Sequence, residues 1–330
     1  MQIIRNNNLI QKLNNINEDI LANVAVIGNF DGLHLGHQAL INKAQEVAKI
    51  KNIKKLLITF EPHPLKFFDK VGRIKLAENN FRINSLSQKL RIIKNYQFDY
   101  VVILPFNSDL SNIEAKDFLE KILIKRLNIR HLVIGYDFIF GKNRQGNFEF
   151  LEKEGKTFGL AIDRIEQIKY QNQICSSTNI RNLIREGEIA IANQLLGRNF
   201  AINGIVVNGN HNGSKIGFPT ANIKINPSLL YPKFGVYETI VKINNQKQYF
   251  SAITNFGIRP TFNNDNILQP VFESHIFNFN QNIYHQKISI ELIKFIRMER
   301  KFNNITELKQ QIKIDINQIS IKNLKNENYP

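Results

Sequence analysis

Tryptophan is absent from this 330-residue chain, and cysteine occurs once, at Cys175. A single thiol excludes an internal disulfide and a cysteine-built zinc site. No apolar run approaches the roughly 20 residues that cross a bilayer. The opening MQIIRNNNLIQKLNN is too polar for a secretory hydrophobic core. Blocks of consecutive Lys or Arg are missing, so no tail of the kind that grips nucleic acid is in view. No internal repeat is apparent either. What is there is 43% hydrophobic and 10% aromatic residues, Phe foremost, enough to build real cores. The length suggests two domains, and the features together suggest a cytoplasmic protein. The formal net charge of +16 favours anionic partners, although Lys, Asn and Ile are abundant everywhere, as coding bias alone would leave them.

The two halves differ in texture. Apolar runs at Asn23–Ile27, Lys55–Phe60, Tyr100–Leu104 and His131–Ile134 read as buried strands. Between them, helical spacing appears over His37–Ile50 (Leu40, Ile41, Ala44, Val47, Ala48), Leu86–Tyr96 and Glu114–Leu127. Nearly all-apolar strands alternating with helices predict a parallel sheet covered on both faces. Thr178–Gly187 and Glu188–Leu196 read as two short helices closing this half. After Gly197 short alternating runs take over: Ala201–Val207, Gly235–Ile243, Gln248–Thr254, Val271–Phe279 and Ile288–Phe295, with turn signals NGN, NNQ and FNND between them. This is the pattern of an all-β barrel or sandwich. A last helix keeps Ile305, Leu308, Ile312, Ile316 and Ile319 on one stripe. The expected domains are 1–197 and 198–330.

The densest chemistry lies in GNFDGLHLGHQAL, Gly28 to Leu40. It follows a strand and precedes a helix, where open α/β sheets bind ligands. Gly28, Gly32 and Gly36 allow a sharp turn and a close backbone approach. The helix start near Gly36–His37 offers free N–H groups and a positive dipole end to an anion. His34 and His37 can each donate to phosphate oxygens. The Lys and Ser/Thr of a P-loop are lacking. A zinc site needs further ligands, and His63, His131, His211, His275 and His285 form no zinc-like pair with these two. A tight turn carrying two solvent histidines is the plainer alternative.

GNFDGLHLGH resembles the HxGH signature of the nucleotidyltransferase superfamily. With its FDG extension it resembles the bacterial bifunctional riboflavin kinase/FMN adenylyltransferase family, the FAD synthetases. Further segments are similar in order: ITFEPHP (Ile58–Pro64), FNSDLSNIEAKDFL (Phe106–Leu119), VIGYDFIFGKNRQGN (Val133–Asn147) and SSTNIRNLI (Ser176–Ile184). The resemblance spans nearly the whole chain. It implies an α/β N-terminal domain with a parallel sheet of the HxGH nucleotidyltransferase type, where FMN phosphate attacks the α-phosphorus of ATP. His34 and His37 would bind the ATP phosphates, with Gly28, Phe30, Asp31, Gly36 and Asp137 around the nucleotide. Ser177 and Thr178 would bond the triphosphate from a helix start, although a plain N-cap is the commoner use of such residues. Arg181 would neutralise the leaving pyrophosphate. Phe60, Pro62, His63 and Phe140 would meet the flavin; Phe138 fits a ring contact and an ordinary core position equally. Asp137 stands where the family often has Asn, and Asn179 where it often has Arg.

In LLGRNFAINGIVVNGNHNGSKIGFPTANI, Leu195–Ile223, Gly209, Gly213 and Gly217 with Lys215 are spaced for a phosphate-covering loop or, equally on spacing, a hairpin turn. Thr220 and Asn222 offer hard oxygens of the kind Mg²⁺ prefers. GFPTAN resembles the riboflavin kinase signature, which implies that Gly213, Lys215, Gly217, Pro219, Thr220 and Asn222 bind ATP, with Thr220 and Asn222 on Mg²⁺. In VFESHIFNF, Glu273, His275, Phe277 and Phe279 share one strand face. A carboxylate among inward-facing aromatics is costly without a partner or a function; a solvated face with a lysine partner is the alternative. The resemblance makes Glu273 the base that accepts the ribityl hydroxyl proton, in a C-terminal all-β barrel with a terminal helix. GVYE (Gly235–Glu238), TNFGIRPTF (Thr254–Phe262) and IRMERKF (Ile296–Phe302) also match, with Arg297 near the flavin. Tyr284–His285 and NHNGSK depart from the family pattern. The implied partners are riboflavin, FMN, FAD and ATP with Mg²⁺, and neither nucleic acid nor membrane; no oligomeric state is fixed.

Overall fold

The structure is a computed structural model that describes residues 1–5, 23–75, 80–209, 213, 216–243, 248–260 and 268–320. Lys215, most of the NHNGSK departure and the turn signals NNQ and FNND lie outside the described residues. The chain divides into two compact units, Met1–Ser177 and Thr178–Pro330.

In the first unit, six strands form one sheet among the described residues: β1 (Gln2–Arg5), β2 (Asn23–Ile27), β3 (Lys54–Glu61), β4 (Tyr100–Pro105), β5 (Ile129–Gly135) and β6 (Ala161–Ile165). Every pairing is parallel, in the order β1-β4-β3-β2-β5-β6. The chain therefore walks outward from β2 to β4 and returns to β5 on the other side of β2. Helices α1 (Leu35–Lys51), α2 (Pro64–Lys70), α3 (Leu86–Lys94), α4 (Ser108–Ser111), α5 (Ala115–Asp117, continuing as a π-helix over Phe118–Arg126) and α6 (Phe148–Gly155) make the connections.

Strand alternation sorts the core. Val24 and Val26 face Leu40, Ile41 and Ala44 of α1, whereas Ala25 and Ile27 face Phe118, Leu119, Ile122 and Leu123. Both faces are thus covered, as the apolar strands required. The expected α-helix over Glu114–Leu127 is largely π-wound. Its buried residues come as adjacent runs, Phe118–Leu119 and Ile122–Leu123–Ile124, wider than a single α-helical stripe. The edge strands β1 and β6 carry no strong period-2 signal and were not legible.

The second unit holds a barrel closed by six antiparallel strands in the order β10-β13-β12-β11-β14-β9. They are β9 (Phe200–Val207), β10 (Ala221–Lys224), β11 (Gly235–Ile243), β12 (Tyr249–Pro260), β13 (Leu268–Ile276) and β14 (Lys287–Arg297). A short hairpin, β7 (Lys169–Tyr170) with β8 (Gln173–Ile174), precedes α7 (Ser177–Glu186). Helix α8 (Ile189–Leu196) packs on β14 and β9, and α9 (Ile305–Asn317) follows the barrel. The barrel interior is plugged by Phe200, Tyr237, Phe256 and Phe272. A buried hydroxyl chain crosses it, with Thr239 Oγ1, Thr254 Oγ1 and Ser274 Oγ spaced 2.7 Å apart.

Candidate functional site

The chain direction in the sheet dictates where the motifs meet. The segments after β2, β3, β4 and β5 all emerge at strand C-termini, and the strand order reverses between the neighbours β2 and β5. That reversal opens the crevice where such sheets bind ligands. The Gly28–His37 turn leaves β2 there, Pro62–Pro64 leaves β3, Phe106 leaves β4 and the loop with Asp137 and Phe140 leaves β5.

His34 is the N-cap of α1, and its Nδ1 accepts from the His37 backbone N–H at 3.4 Å. An accepting Nδ1 places the neutral ring's proton on Nε2. The two imidazoles stack with centroids 3.7 Å apart at 24°. Phe30, fully buried with φ 47°, packs its ring 5.1 Å from that of His37. Asp31 is also buried; its carboxylate accepts the N–H groups of Ile83 at 3.0 Å and Asn84 at 3.3 Å, anchoring the turn. Ser177 Oγ donates to the Asp31 carbonyl at 2.8 Å. A Cβ on Gly36 would lie 3.1 Å from the Cys175 carbonyl and the His34 ring, a tight contact that a side chain here could make only if these neighbours shifted. His34, His37, Gly28, Phe30, Asp31, Gly36 and Ser177 are therefore gathered at one turn. Thr178 and Arg181 follow in α7 and belong to the second unit.

The remaining front-half residues surround the other loops. His63 caps α2, its Nδ1 accepting from Leu65 N–H at 3.2 Å. Glu61 is clamped in two-pronged fashion by Arg82, at 2.9 and 2.8 Å. Phe60 meets Phe106 edge-on at 5.8 Å. Phe138 and Phe140 stack at 5.4 Å, and both pack on the sheet's core. Phe140 is pinned by paired backbone bonds to Gly146 at 3.0 and 2.9 Å. Asp137 beside them is exposed.

In the barrel, register builds the site. Asn222 pairs with Glu273, Glu273 with Asn255, Asn255 with Val236, and Val236 with Arg297. One row thus crosses five strands with its side chains on one face. A cavity of about 630 Å³ is lined by four residues of this row, Glu273, Asn255, Val236 and Arg297, and also by Gly213, Phe218, Thr220, His275, Glu299 and Asp315, whereas Asn222 is buried beside it. The expectation that Glu273 sits among inward-facing aromatics is corrected here. Phe272, Ser274 and Ile276 take the buried alternate positions, and Glu273 and His275 point to the cavity side instead. His275 Nδ1 lies 2.8 Å from the Pro219 carbonyl, so that nitrogen carries the proton and holds the PTAN segment. Arg297 Nε reaches both Asp315 oxygens at 2.9 and 3.0 Å, and Nη2 reaches Oδ2 at 2.8 Å. Gln311 Nε2 donates to the same carboxylate at 2.7 Å. Gly217 and Pro219 lie on the loop into β10.

Among the described residues, no helix is long and apolar enough to cross a membrane, and no three His, Cys, Asp or Glu residues cluster as metal ligands.

An α/β unit with a histidine-bearing turn at its sheet reversal, joined to a barrel whose largely apolar cavity carries Glu273, His275 and Arg297 on its wall, defines a two-site enzyme of nucleotide chemistry. The FAD synthetase family matches residues 16–179 and the riboflavin kinase family residues 196–322. A bifunctional riboflavin kinase/FMN adenylyltransferase of Buchnera aphidicola (from Schizaphis graminum) is 38% identical over 96% of this chain and 97% of its own length. The Bacillus subtilis protein of that name is 36% identical over 91% and 92%. The Escherichia coli K12 protein is 35% identical over 88% and 90%. A crystal structure described as a macrolide-efflux protein from Streptococcus pneumoniae superposes with TM-score 0.85 at 28% identity, over 98% of this chain and 100% of that one. The chain belongs to the bifunctional riboflavin kinase/FMN adenylyltransferase family.

Two charged residues that the sequence reading passed over stand out: Lys89, buried behind the Gly28–His37 turn, and Asp315, buried behind Arg297. Both sit on the apolar stripe of a helix. Lys89 lies three residues after Leu86 and four before Ile93, and Asp315 three after Ile312. A charge at a stripe position was the available signal.

Proposed function

We propose that the two activities carried by this member of the family are housed separately: adenylylation of FMN to FAD in 1–197, and phosphorylation of riboflavin to FMN in 198–330. In the front half an FMN phosphate oxygen attacks the α-phosphorus of ATP, and the bond to pyrophosphate breaks. The nucleophile is already an anion, so positioning and charge stabilisation suffice. His34 and His37 bind the triphosphate at the α1 N-terminus, helped by Gly28, Phe30, Gly36 and Ser177. Asp31 acts by holding the turn. Phe60, Pro62, His63 and Phe140 form the flavin side, with Asp137 toward the adenine.

In the back half the ribityl hydroxyl oxygen attacks the γ-phosphorus, its proton passes to Glu273, and ADP leaves. Arg297 faces the flavin end of the cavity, and Gly213, Lys215, Gly217 and Pro219 flank the nucleotide. Thr220 and Asn222 would hold Mg²⁺. A Cβ on Gly213 would meet the Phe218 carbonyl oxygen and lie 3.3 Å from Thr220 Oγ1, so two oxygens of the hard kind Mg²⁺ prefers stand close to this glycine. When bound, the ion would neutralise phosphate charge. A cytoplasmic location and small-molecule partners, with neither nucleic acid nor membrane, fit these substrates.

The observation that carries the front-half assignment is that four motif segments leave the C-terminal ends of β2 to β5, those after β2 and β5 flanking the strand-order reversal. Separation of the activities tests it. His37→Ala should abolish FAD formation while riboflavin phosphorylation persists, and Glu273→Ala should do the reverse with FMN supplied. Loss of both activities in either folded variant would refute the assignment.

A further inference from the structure

We propose that Lys89 is a positioning residue for adenylyl transfer: its buried ammonium ties the Asn29 carbonyl to α3 and so fixes the turn that presents His34 and His37. The proposal rests on the reading of that turn as the triphosphate site.

Lys89 is 1% exposed. Lysine is almost never so buried without a strong partner. Yet the atoms its Nζ donates to are a carbonyl and a hydroxyl: Asn29 O at 2.6 Å and Thr59 Oγ1 at 3.2 Å. Thr59 Oγ1 itself donates to Asn29 O at 3.3 Å, closing a three-membered knot. The surrounding charges are already engaged. Asp31 holds the Ile83 and Asn84 N–H groups, and Glu61 and Arg82 hold each other. For stability alone, an apolar side chain of similar length would serve this stripe position of α3 at lower cost.

The knot acts on a strained piece of backbone. Asn29 immediately precedes Phe30 at φ 47°, and Leu33 follows at φ 44°. Left-handed conformations at such residues persist only where the surroundings impose them. Phe30 then packs on His37, so displacement of Asn29 is transmitted to the imidazole pair. Burial lowers the Lys89 pKa to about 8, opposed by the attraction of Asp31 and Glu61 and assisted by the repulsion of Arg82. A neutral amine donates a weaker bond than an ammonium, so the prop weakens as pH rises through that value.

The test is steady-state kinetics of both reactions on the full chain from pH 6 to 10, for the wild type, Lys89→Met, Lys89→Gln and His37→Ala. In the wild type, kcat for FAD formation should fall on an alkaline limb near pH 8 that riboflavin phosphorylation lacks. Lys89→Met should lower kcat for FAD formation at least tenfold at pH 7, leave KM for ATP within a few-fold, erase the limb and spare the kinase. Lys89→Gln, which keeps a donor without the charge, should fall between and also lack the limb. A Lys89→Met enzyme with wild-type kcat and an unchanged limb would overturn the proposal. If Lys89→Met fails to fold, Lys89→Gln decides: a retained limb overturns the proposal, and its loss supports it. Full FAD formation by His37→Ala would instead sink the underlying role of the turn.

Discussion

Asp315→Asn is the substitution whose consequence follows most directly from the barrel site. The carboxylate is 1% exposed and accepts three guanidinium bonds from Arg297 and one amide bond from Gln311. Asparagine is nearly isosteric, so packing is preserved. Its single carbonyl oxygen can keep part of the fork, but its amide group turns N–H donors toward the guanidinium, which has no acceptor to offer. One or two charge-assisted bonds are lost, each contributing about 1.5–3 kcal/mol. The Arg297 side chain is 21% exposed, so water recovers part of that loss. A net of about 2 kcal/mol remains, equivalent to roughly a 30-fold change in an equilibrium constant. Because Arg297 closes the row Asn222–Glu273–Asn255–Val236 at the cavity, the loss should appear as a raised KM for riboflavin. FAD formation from supplied FMN should be unchanged. The assay is initial-rate kinetics of the two reactions on the same preparation. A riboflavin KM within threefold of wild type, or an equal loss in both reactions, would refute the reasoning.

Three further outcomes are expected. His275→Phe removes the bond to the Pro219 carbonyl; about 1 kcal/mol of positioning is lost, so the kinase KM for ATP should rise several-fold, read from ATP titrations at saturating riboflavin. Gly141 has φ 75° and ψ 167°, and a Cβ there would lie 2.8 Å from Ala115 backbone. Gly141→Ala should therefore cost roughly 3 kcal/mol, lower the thermal midpoint of the front unit and depress FAD formation, with riboflavin phosphorylation intact. Burial lowers the Lys89 pKa from the ordinary 10.5 to about 8 in the folded chain. Between these values the unfolded chain binds more protons, so stability should rise with pH there, by up to roughly 3 kcal/mol. Urea titrations from pH 7.5 to 10.5 should show the rise in the wild type and its absence in Lys89→Met.

Much of this was legible before any coordinates. The four buried strands of the front half were readable as short all-apolar runs separated by helical spacing, and the histidine turn by its glycines. Five of the six barrel strands were readable from their short apolar runs and the turn signals between them, and Gly235–Ile243 coincides with β11; β10, only four residues long, was not. The face of Glu273 was not, because a period of two does not say which face is inside. That was decided by Phe272, Ser274 and Ile276 packing into the barrel. The row linking Asn222, Glu273, Asn255 and Arg297 depends on register, which no local pattern encodes. Lys89 and Asp315 were masked for a related reason. Each interrupts an apolar stripe, and only the partner across the fold, Asn29 or Arg297, gives the charge a purpose.

The most direct measurement is the product profile by HPLC when the intact chain is incubated with riboflavin, ATP and Mg²⁺. Two working sites predict FMN appearing first and FAD accumulating at its expense, with ADP and pyrophosphate as co-products. FAD formed from supplied FMN but no FMN formed from riboflavin would contradict a functional second site, and FMN without FAD would contradict the first.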